Sequence, residues 1–375
     1  MNKEKLQEKC NSFLDEVMNL NDLPGLAIGV SIDGTEFIGV RGYREYMARV
    51  PLQEDDVFHC ASVSKLFTSS AIMKLVESGA LHLEDRLCEL LPKLHIADKR
   101  FKDIRLWNML THTSGLGDVS DYHWYDRETD ADSLRRYVYE SEEVLNQPLL
   151  WAPQESPSEE NSRFRYSNVA YEILGQIVSE YSGRMPEAEG TLSYEDFVTC
   201  YLLTQAGMAA STIKTFERAG FPDFTGSKFM ASPYEKKADR TIGLVEHYPY
   251  TRQHAPSSTL TSNVSDLLRW GRAHLASVHG VGPLLKPETY QIIWRCYATV
   301  PNNGEKMGIG WFMRKQEIAG RTYQLYGHEG TDDGFRASFW MCPELDMVTV
   351  ALSNLSGSPV KKINKKLFST IAELL

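Results

Sequence analysis

Near the start of the chain, apolar residues alternate with small or polar ones along Leu26-Ala27-Ile28-Gly29-Val30-Ser31-Ile32 and again along Thr35–Val40. That two-residue period predicts a pair of strands. Asp33-Gly34 stands between them, a pair that favours the tight hairpin turn with positive φ at both central residues. Gly29 and Gly39 predict close packing against one face of the sheet. Ahead of the hairpin, Leu6, Phe13 and Val17 predict an amphipathic helix. From Ser62 onward the period becomes helical: Phe67, Ala71 and Leu75 recur every four residues, with Ile72 and Val76 beside them and Gly79 as the stop. Apolar residues on most faces of this segment predict a central, buried helix.

Between residues 81 and 300 the pattern predicts helices joined by long polar loops. It includes a charged helix near Ala131–Glu143, an exposed loop over Pro153–Ser162, and a strong helix over Asn168–Tyr181. Ser167 or Asn168 can cap that last helix, and Gly183 can close it. Alternation returns after Asn303. Ile309–Met313, Thr322–Tyr326, Phe335–Cys342 and Met347–Ser353 read as consecutive antiparallel strands, with turns at Ala319-Gly320 and Pro343–Asp346. A last helix carries Ile363, Leu367, Ile371 and Leu374 on one stripe. The expected architecture is α/β (α+β): one antiparallel sheet built from both ends of the chain, roughly residues 1–80 and 301–375, flanked by helices. A mostly helical lobe over residues 81–300 is inserted in it.

Composition narrows the function classes. The 375 residues suffice for one large domain or two lobes around a cleft, with 42% hydrophobic and 24% charged residues, ordinary for a globular protein. A net charge of −10 without any Lys/Arg run excludes a nucleic-acid partner on electrostatic grounds. The six cysteines are scattered with no C-x-x-C pair, so no zinc or redox motif is predicted, and neither a metal nor a cofactor is called for. Scattered thiols fit a reducing compartment. Met1–Lys5 leads into a helix without an apolar signal region, and no stretch is apolar enough to span a bilayer. A cytoplasmic location is therefore expected, with a trimmed secretory signal as the alternative. Oligomeric state is left open.

The candidate chemistry begins at Ser62-Val63-Ser64-Lys65. A serine hydroxyl needs a positioned base, and Lys65 at i+3 on a helix lies on the same face, about 5–6 Å away between Cβ atoms. Such a lysine can serve if desolvation lowers its pKa. Spacing alone does not select it, because Ser211–Lys214 and Ser358–Lys361 repeat the S-x-x-K pattern. Only Ser62 stands where a sheet segment hands over to a buried helix. Two further elements follow in order: Tyr166-Ser167-Asn168, the only Y-x-N among 18 tyrosines, and Gly327-His328-Glu329-Gly330, closing a strand. S-x-x-K, Y-x-N and a K-T-G-like segment are the signature set of penicillin-recognising serine enzymes.

With these residues the chain resembles the class C beta-lactamase-related serine hydrolases, a penicillin-binding-protein-like family. It includes D,D-peptidases, D-aminopeptidases and esterases with a beta-lactamase fold. Pro24-Gly25-Leu26-Ala27, Phe58–Lys65, Leu75–Pro92, Leu110–Leu116 and Thr261–Trp270 carry the resemblance across nearly the whole chain. It implies a beta-lactamase/transpeptidase-like fold with Ser62 as nucleophile and Lys65 as its base or proton shuttle. Tyr166 would pass a proton to the leaving group as a phenol whose pKa Lys65 lowers. Asn168 would bind the substrate amide or orient Lys65. His328 and Gly330 would line the substrate site, His328 replacing the usual lysine. The backbone N–H groups of Ser62 and Thr331 would form the oxyanion hole. The implied partner is a small acyl compound: an ester, an amide or a D-amino-acid peptide.

Departures from the family pattern qualify the substrate. His-Glu-Gly replaces Lys-Thr-Gly, and Glu329, Asp332 and Asp333 predict an acidic rim that disfavours anionic penicillins. Arg336 is expected to pair with Asp332 or Asp333 rather than to bind a carboxylate. Ser257-Ser258 replaces a Gly-Gly, and Pro153-Gln154 opens an acidic insertion. His112 is assigned a structural turn role, and His274 and His279 are placed at the surface. The leading function is an esterase or amidase acting through an acyl-enzyme. Alternatives are a D-amino-acid peptidase, a weak beta-lactamase, a transacylase or a non-catalytic ligand-binding protein on the same fold.

Overall fold

In the computed structural model, which describes residues 2–122, 129–160, 162–215 and 229–375, Asp33 and Gly34 take φ of 47° and 72°. That left-handed pair lets Gly25–Ile32 fold back on Thr35–Glu45, from Ile32↔Thr35 to Gly25↔Gly42. On its other side Gly25–Ile32 pairs antiparallel with Met347–Ser353, which joins the two ends of the chain in one sheet. All eight residues of Gly25–Ile32 are buried, as a central strand covered on both faces requires.

Among the described residues the sheet has nine strands. In spatial order they are Val50–Pro51, Thr35–Glu45, Gly25–Ile32, Met347–Ser353, Phe335–Cys342, Arg321–Asp332, Phe312–Ile318, Lys306–Met307 and Ala298–Thr299. Both edges are two-residue strands. Two of the sequence-derived strands move. The Ile309–Met313 segment starts as a strand only at Phe312, because Gly310 at φ 76° turns the chain aside. The Thr322–Tyr326 segment extends to Asp332, held by pairing as far as Asp332↔Phe335. His328-Glu329-Gly330 therefore lies inside a strand instead of closing one.

Helices Lys3–Leu20 and Val360–Ala372 cover one face of the sheet, over a core that includes Leu14, Trp340 and Phe368. Helices Ser64–Glu77, Asn168–Tyr181 and Val264–Val278 share the second core. The two glycines serve opposite faces, not one: a Cβ on Gly29 would lie 2.2 Å from Val264, and one on Gly39 2.6 Å from Leu14. Phe67 stacks on Trp270 at 4.1 Å, fixing the Ser64–Glu77 helix to Val264–Val278. Such a pair adds about 0.5–1.5 kcal/mol beyond its buried area.

Other expectations shift locally. The charged helix splits into Ser133–Glu140 and Glu142–Leu145, because Ser141 caps the second with its side chain. The Pro153–Ser162 loop is anchored at its start, where buried Gln154 donates to the carbonyls of Ser156 and Tyr297. His274 is not at the surface. It is fully buried between Trp270 and Trp311, with Nδ1 2.7 Å from the Tyr290 hydroxyl, whereas His279 is exposed.

Candidate active site

Ser62 stands in a single 3-10 turn, Ala61–Val63, that hands over to the helix Ser64–Glu77. The residue before it, Ala61, has φ 47°, a left-handed conformation that non-glycine residues seldom adopt. The surroundings enforce it. Cys60 N–H donates to Leu260 O, the Ser64 hydroxyl donates to Ala61 O at 2.7 Å, and Leu260 N–H donates to that hydroxyl at 2.9 Å. Strain of this kind, held by neighbours, presents Ser62 partly exposed at the cleft floor.

One turn on, Lys65 is fully buried. Its Nζ lies 3.1 Å from Ser62 Oγ, 2.5 Å from Asn168 Oδ1 and 2.9 Å from Ser257 O. Burial pulls its pKa down to about 8, opposed by the charges of Glu172, Asp118 and Asp332. A neutral amine has two N–H donors and one lone pair. Asn168 and Ser257 accept the two donors, so the lone pair faces Ser62 Oγ.

Each of those acceptors is itself held. Asn168 opens the helix Asn168–Tyr181, whose N-cap is Ser167, its hydroxyl accepting from Ala170 N–H. Asn168 donates through both its backbone N–H and Nδ2 to Asp118 Oδ1, at 2.8 Å each. Its amide thus joins Lys65 to Asp118, which fits the lysine-orienting role. The Ser257 hydroxyl donates to Glu172, a fully buried carboxylate that also pairs with His254 Nδ1 at 3.1 Å. Neither Asp118 nor Glu172 emerged from sequence reasoning. Glu172 had a signal: an acid four residues after Asn168, on the same face and within the apolar first half of the helix.

The Tyr166 phenol and Ser62 line the same cleft, and Lys65 Nζ sits 4.9 Å from the Tyr166 ring centroid. Burial drives its phenol well above the usual tyrosine range, with the Ser62 contact opposing. The expected lowering is overturned, because desolvation outweighs that contact, and the resting group is a neutral phenol. His112 supports it from below, its ring 4.3 Å from that of Tyr166 and its Nδ1 accepting from Ser167 N–H at 3.1 Å. That acceptor role, the depth of burial and a pKa pushed well below the usual range by desolvation and Lys65 make His112 a support.

The strand Arg321–Asp332 forms the opposite wall. Its partner Phe312–Ile318 ends at Phe312↔Gly327, which leaves residues 328–332 as a free edge on that side. His328 Nδ1 donates to Glu329 O at 2.6 Å, so its Nε2 carries the lone pair, and burial pulls its pKa to about 3. It is a neutral ring. A Cβ on Gly330 would meet Cys60 O at 2.2 Å, so only glycine lets this strand approach the nucleophile turn.

The acids expected to form a rim all have partners: Glu329 with Trp340 Nε1 at 2.7 Å, Asp332 with His59 at 2.9 Å, Asp333 with His247 at 3.0 Å. Arg336 pairs with no carboxylate among the described residues. Its guanidinium donates to the carbonyls of Asp332 and Phe335 at 2.7 Å, because the two aspartates are already engaged. The lysines of the other S-x-x-K pairs meet carboxylates: Lys214 pairs with Asp196 while Ser211 contacts Asp266, and Lys361 pairs with Glu305.

These groups line a cleft of about 420 Å³, walled by Tyr122, Phe164, Phe312 and Trp340 and ending at Asn303, Glu305 and Lys361. Among the described residues no cluster of three or more His, Cys, Asp or Glu could hold a metal ion. No described helix is long and apolar enough to cross a membrane.

A family model described as Beta-lactamase matches residues 11–370. The chain belongs to the beta-lactamase family. Members of that family are serine hydrolases. Protein flp of Staphylococcus aureus is 23% identical over 386 residues, 98% of this chain and 69% of that protein. The octameric penicillin-binding protein homologue from Pyrococcus abyssi superposes with TM-score 0.78 at 24% identity, over 99% of this chain and 78% of that one. The D-amino acid amidase from Ochrobactrum anthropi gives TM-score 0.75 at 18% identity, over 99% of both chains. The beta-lactamase/transpeptidase-like fold, with its large antiparallel sheet and flanking helices, is thereby established.

Proposed function

We propose that the chain is an acyl hydrolase working through an ester on Ser62, acting on small amides or esters whose reacting end carries no carboxylate. The observation that carries this reading is the contact of buried Lys65 Nζ with Ser62 Oγ beside two further acceptors, which in the neutral amine leave the lone pair for Ser62 Oγ. Ser62 Oγ bonds to the acyl carbon while its proton passes to Lys65 Nζ. The N–H groups of Ser62 and Thr331 are assigned to the resulting oxyanion. As the bond to the leaving nitrogen or oxygen breaks, the Tyr166 phenol supplies its proton and recovers one from Lys65. Water then attacks the acyl-enzyme by the reverse relay. Neutral His328 offers an acceptor and no positive charge, so a carboxylate finds no counter-ion there.

A fluorophosphonate probe should label Ser62, with the adduct located by peptide mass spectrometry. A panel of p-nitrophenyl esters, D-alanyl amides and nitrocefin should show turnover of the first two above the third. Absence of both label and turnover would leave a ligand-binding protein as the better reading.

Because the neutral amine is the active form, the acylation rate should rise as pH rises through about 8. Glu172→Gln removes a negative charge that favours protonated Lys65, so this limb should move to lower pH. A stopped-flow burst measured across pH checks both, and an unmoved or upward-shifted limb would refute the second.

A further inference from the structure

Beyond Glu305 and Lys361 the cleft borders a second hollow of about 350 Å³, and the two share Asn303, Glu305 and Lys361 in their walls. Five cations line that hollow, Lys306, Arg314, Lys315, Lys361 and Lys365, against the single carboxylate of Glu305. In a chain of net charge −10 this is a local reversal of sign.

Three observations show that the reversal is not explained by internal pairing. First, Lys315 and Lys365 are exposed and pair with no carboxylate among the described residues, whereas Lys306 pairs with Glu159 at 3.2 Å and Lys361 with Glu305 at 2.8 Å. Second, Arg314 is only 6% exposed, stacked 3.8 Å over Trp340. None of its three guanidinium nitrogens makes a hydrogen bond among the described residues, and its one ion pair, with Glu329, is 3.5 Å long. A buried cation so weakly met projects its field into the hollow it floors. Third, Lys361 lies in the first turn of the helix Val360–Ala372, a turn that holds no acid and whose N-cap, Pro359, supplies no side-chain acceptor, and Lys365 follows one turn on. A helix start is already electropositive, so Lys361 there opposes helix stability. A bound anion would reverse that sign.

From these features we infer a distal carboxylate subsite: an acyl substrate runs from Ser62 along the aromatic wall, passes Glu305 and Lys361, and sets a terminal carboxylate among Lys315, Lys361 and Lys365 over Arg314. The reacting end stays neutral at His328 and the far end is anionic. The term substrate rests on the hydrolase reading above, whereas the subsite itself does not.

The test is the double charge reversal Lys315→Glu/Lys365→Glu, assayed on p-nitrophenyl hydrogen suberate and on p-nitrophenyl octanoate, which share a chain length. The KM for the suberate ester should rise about tenfold and lose its difference from wild type at high salt, with the octanoate unchanged. Both lysines are exposed and make no ion pair among the described residues, so the melting temperature should not fall appreciably. In parallel, Ser62→Ala protein with and without the reversal is titrated with monomethyl suberate, and the reversal should weaken binding to a similar degree. Equal effects on both esters, or unchanged monomethyl suberate binding, would overturn the subsite. If wild type turns over neither ester while binding still depends on the two lysines, the hydrolase reading falls and the subsite stands.

Discussion

Lys65→Met should lower the rate of Ser62 acylation by about 10³-fold while the fold survives. The Lys65 amine sits in a fully buried pocket, 3.1 Å from the hydroxyl whose proton its neutral form would take. Methionine fills the same volume without a lone pair to receive the proton. Stability is expected to change little, because two effects oppose one another. Removing a buried amine relieves its desolvation. Losing it orphans Asn168 Oδ1 and Ser257 O, at about 1–3 kcal/mol for each buried acceptor left unmet. Adding Ser62→Ala to Lys65→Met should cost little more than Ser62→Ala alone, since groups that act as a unit fail together. Burst kinetics with p-nitrophenyl acetate, read beside a thermal melt, separate the cases. Wild-type bursts from Lys65→Met would remove the lysine from the mechanism.

The second large effect is expected at Gly330. Any side chain there enters the 2.2 Å space before the Cys60 carbonyl, and Ala337 Cβ at 3.1 Å blocks retreat on one side. Gly330→Val must therefore push the Arg321–Asp332 strand away from the turn bearing Ser62. A displacement near 1 Å between nucleophile and oxyanion donors costs about 100-fold in rate. Turnover should fall by that order in Gly330→Val and by less in Gly330→Ala, with fluorophosphonate labelling slowed in parallel. Wild-type labelling by the valine variant would show that strand and turn are not in register for catalysis.

Much of this arrangement is legible in the sequence where local rules are strong. Asp33-Gly34 demands its hairpin, and Ser167 caps the helix that positions Asn168. The motif order places Ser62, Lys65, Tyr166 and His328 around one cleft. What escapes is set by desolvation and by long-range contact. The phenol of Tyr166 responds to burial, which no spacing reports. Asp118 meets Asn168 across 50 residues, and the Ser257 carbonyl meets Lys65 across 192. Sequence proximity matches Arg336 to Asp332 and Asp333, yet His59 and His247, from distant segments, reach those acids. The glycine pair misled for a related reason: Gly29 and Gly39 lie on adjacent strands, and the register Ile28↔Gly39 turns them to opposite faces.

The nine-stranded sheet ends on both sides in a strand only two residues long, Val50–Pro51 and Ala298–Thr299. Pro51 has no N–H to offer, and a two-residue strand presents too few free backbone groups to template another chain. A sheet this wide would otherwise invite edge-to-edge aggregation. Its short margins guard against that association while the long inner strands remain free to hold the cleft.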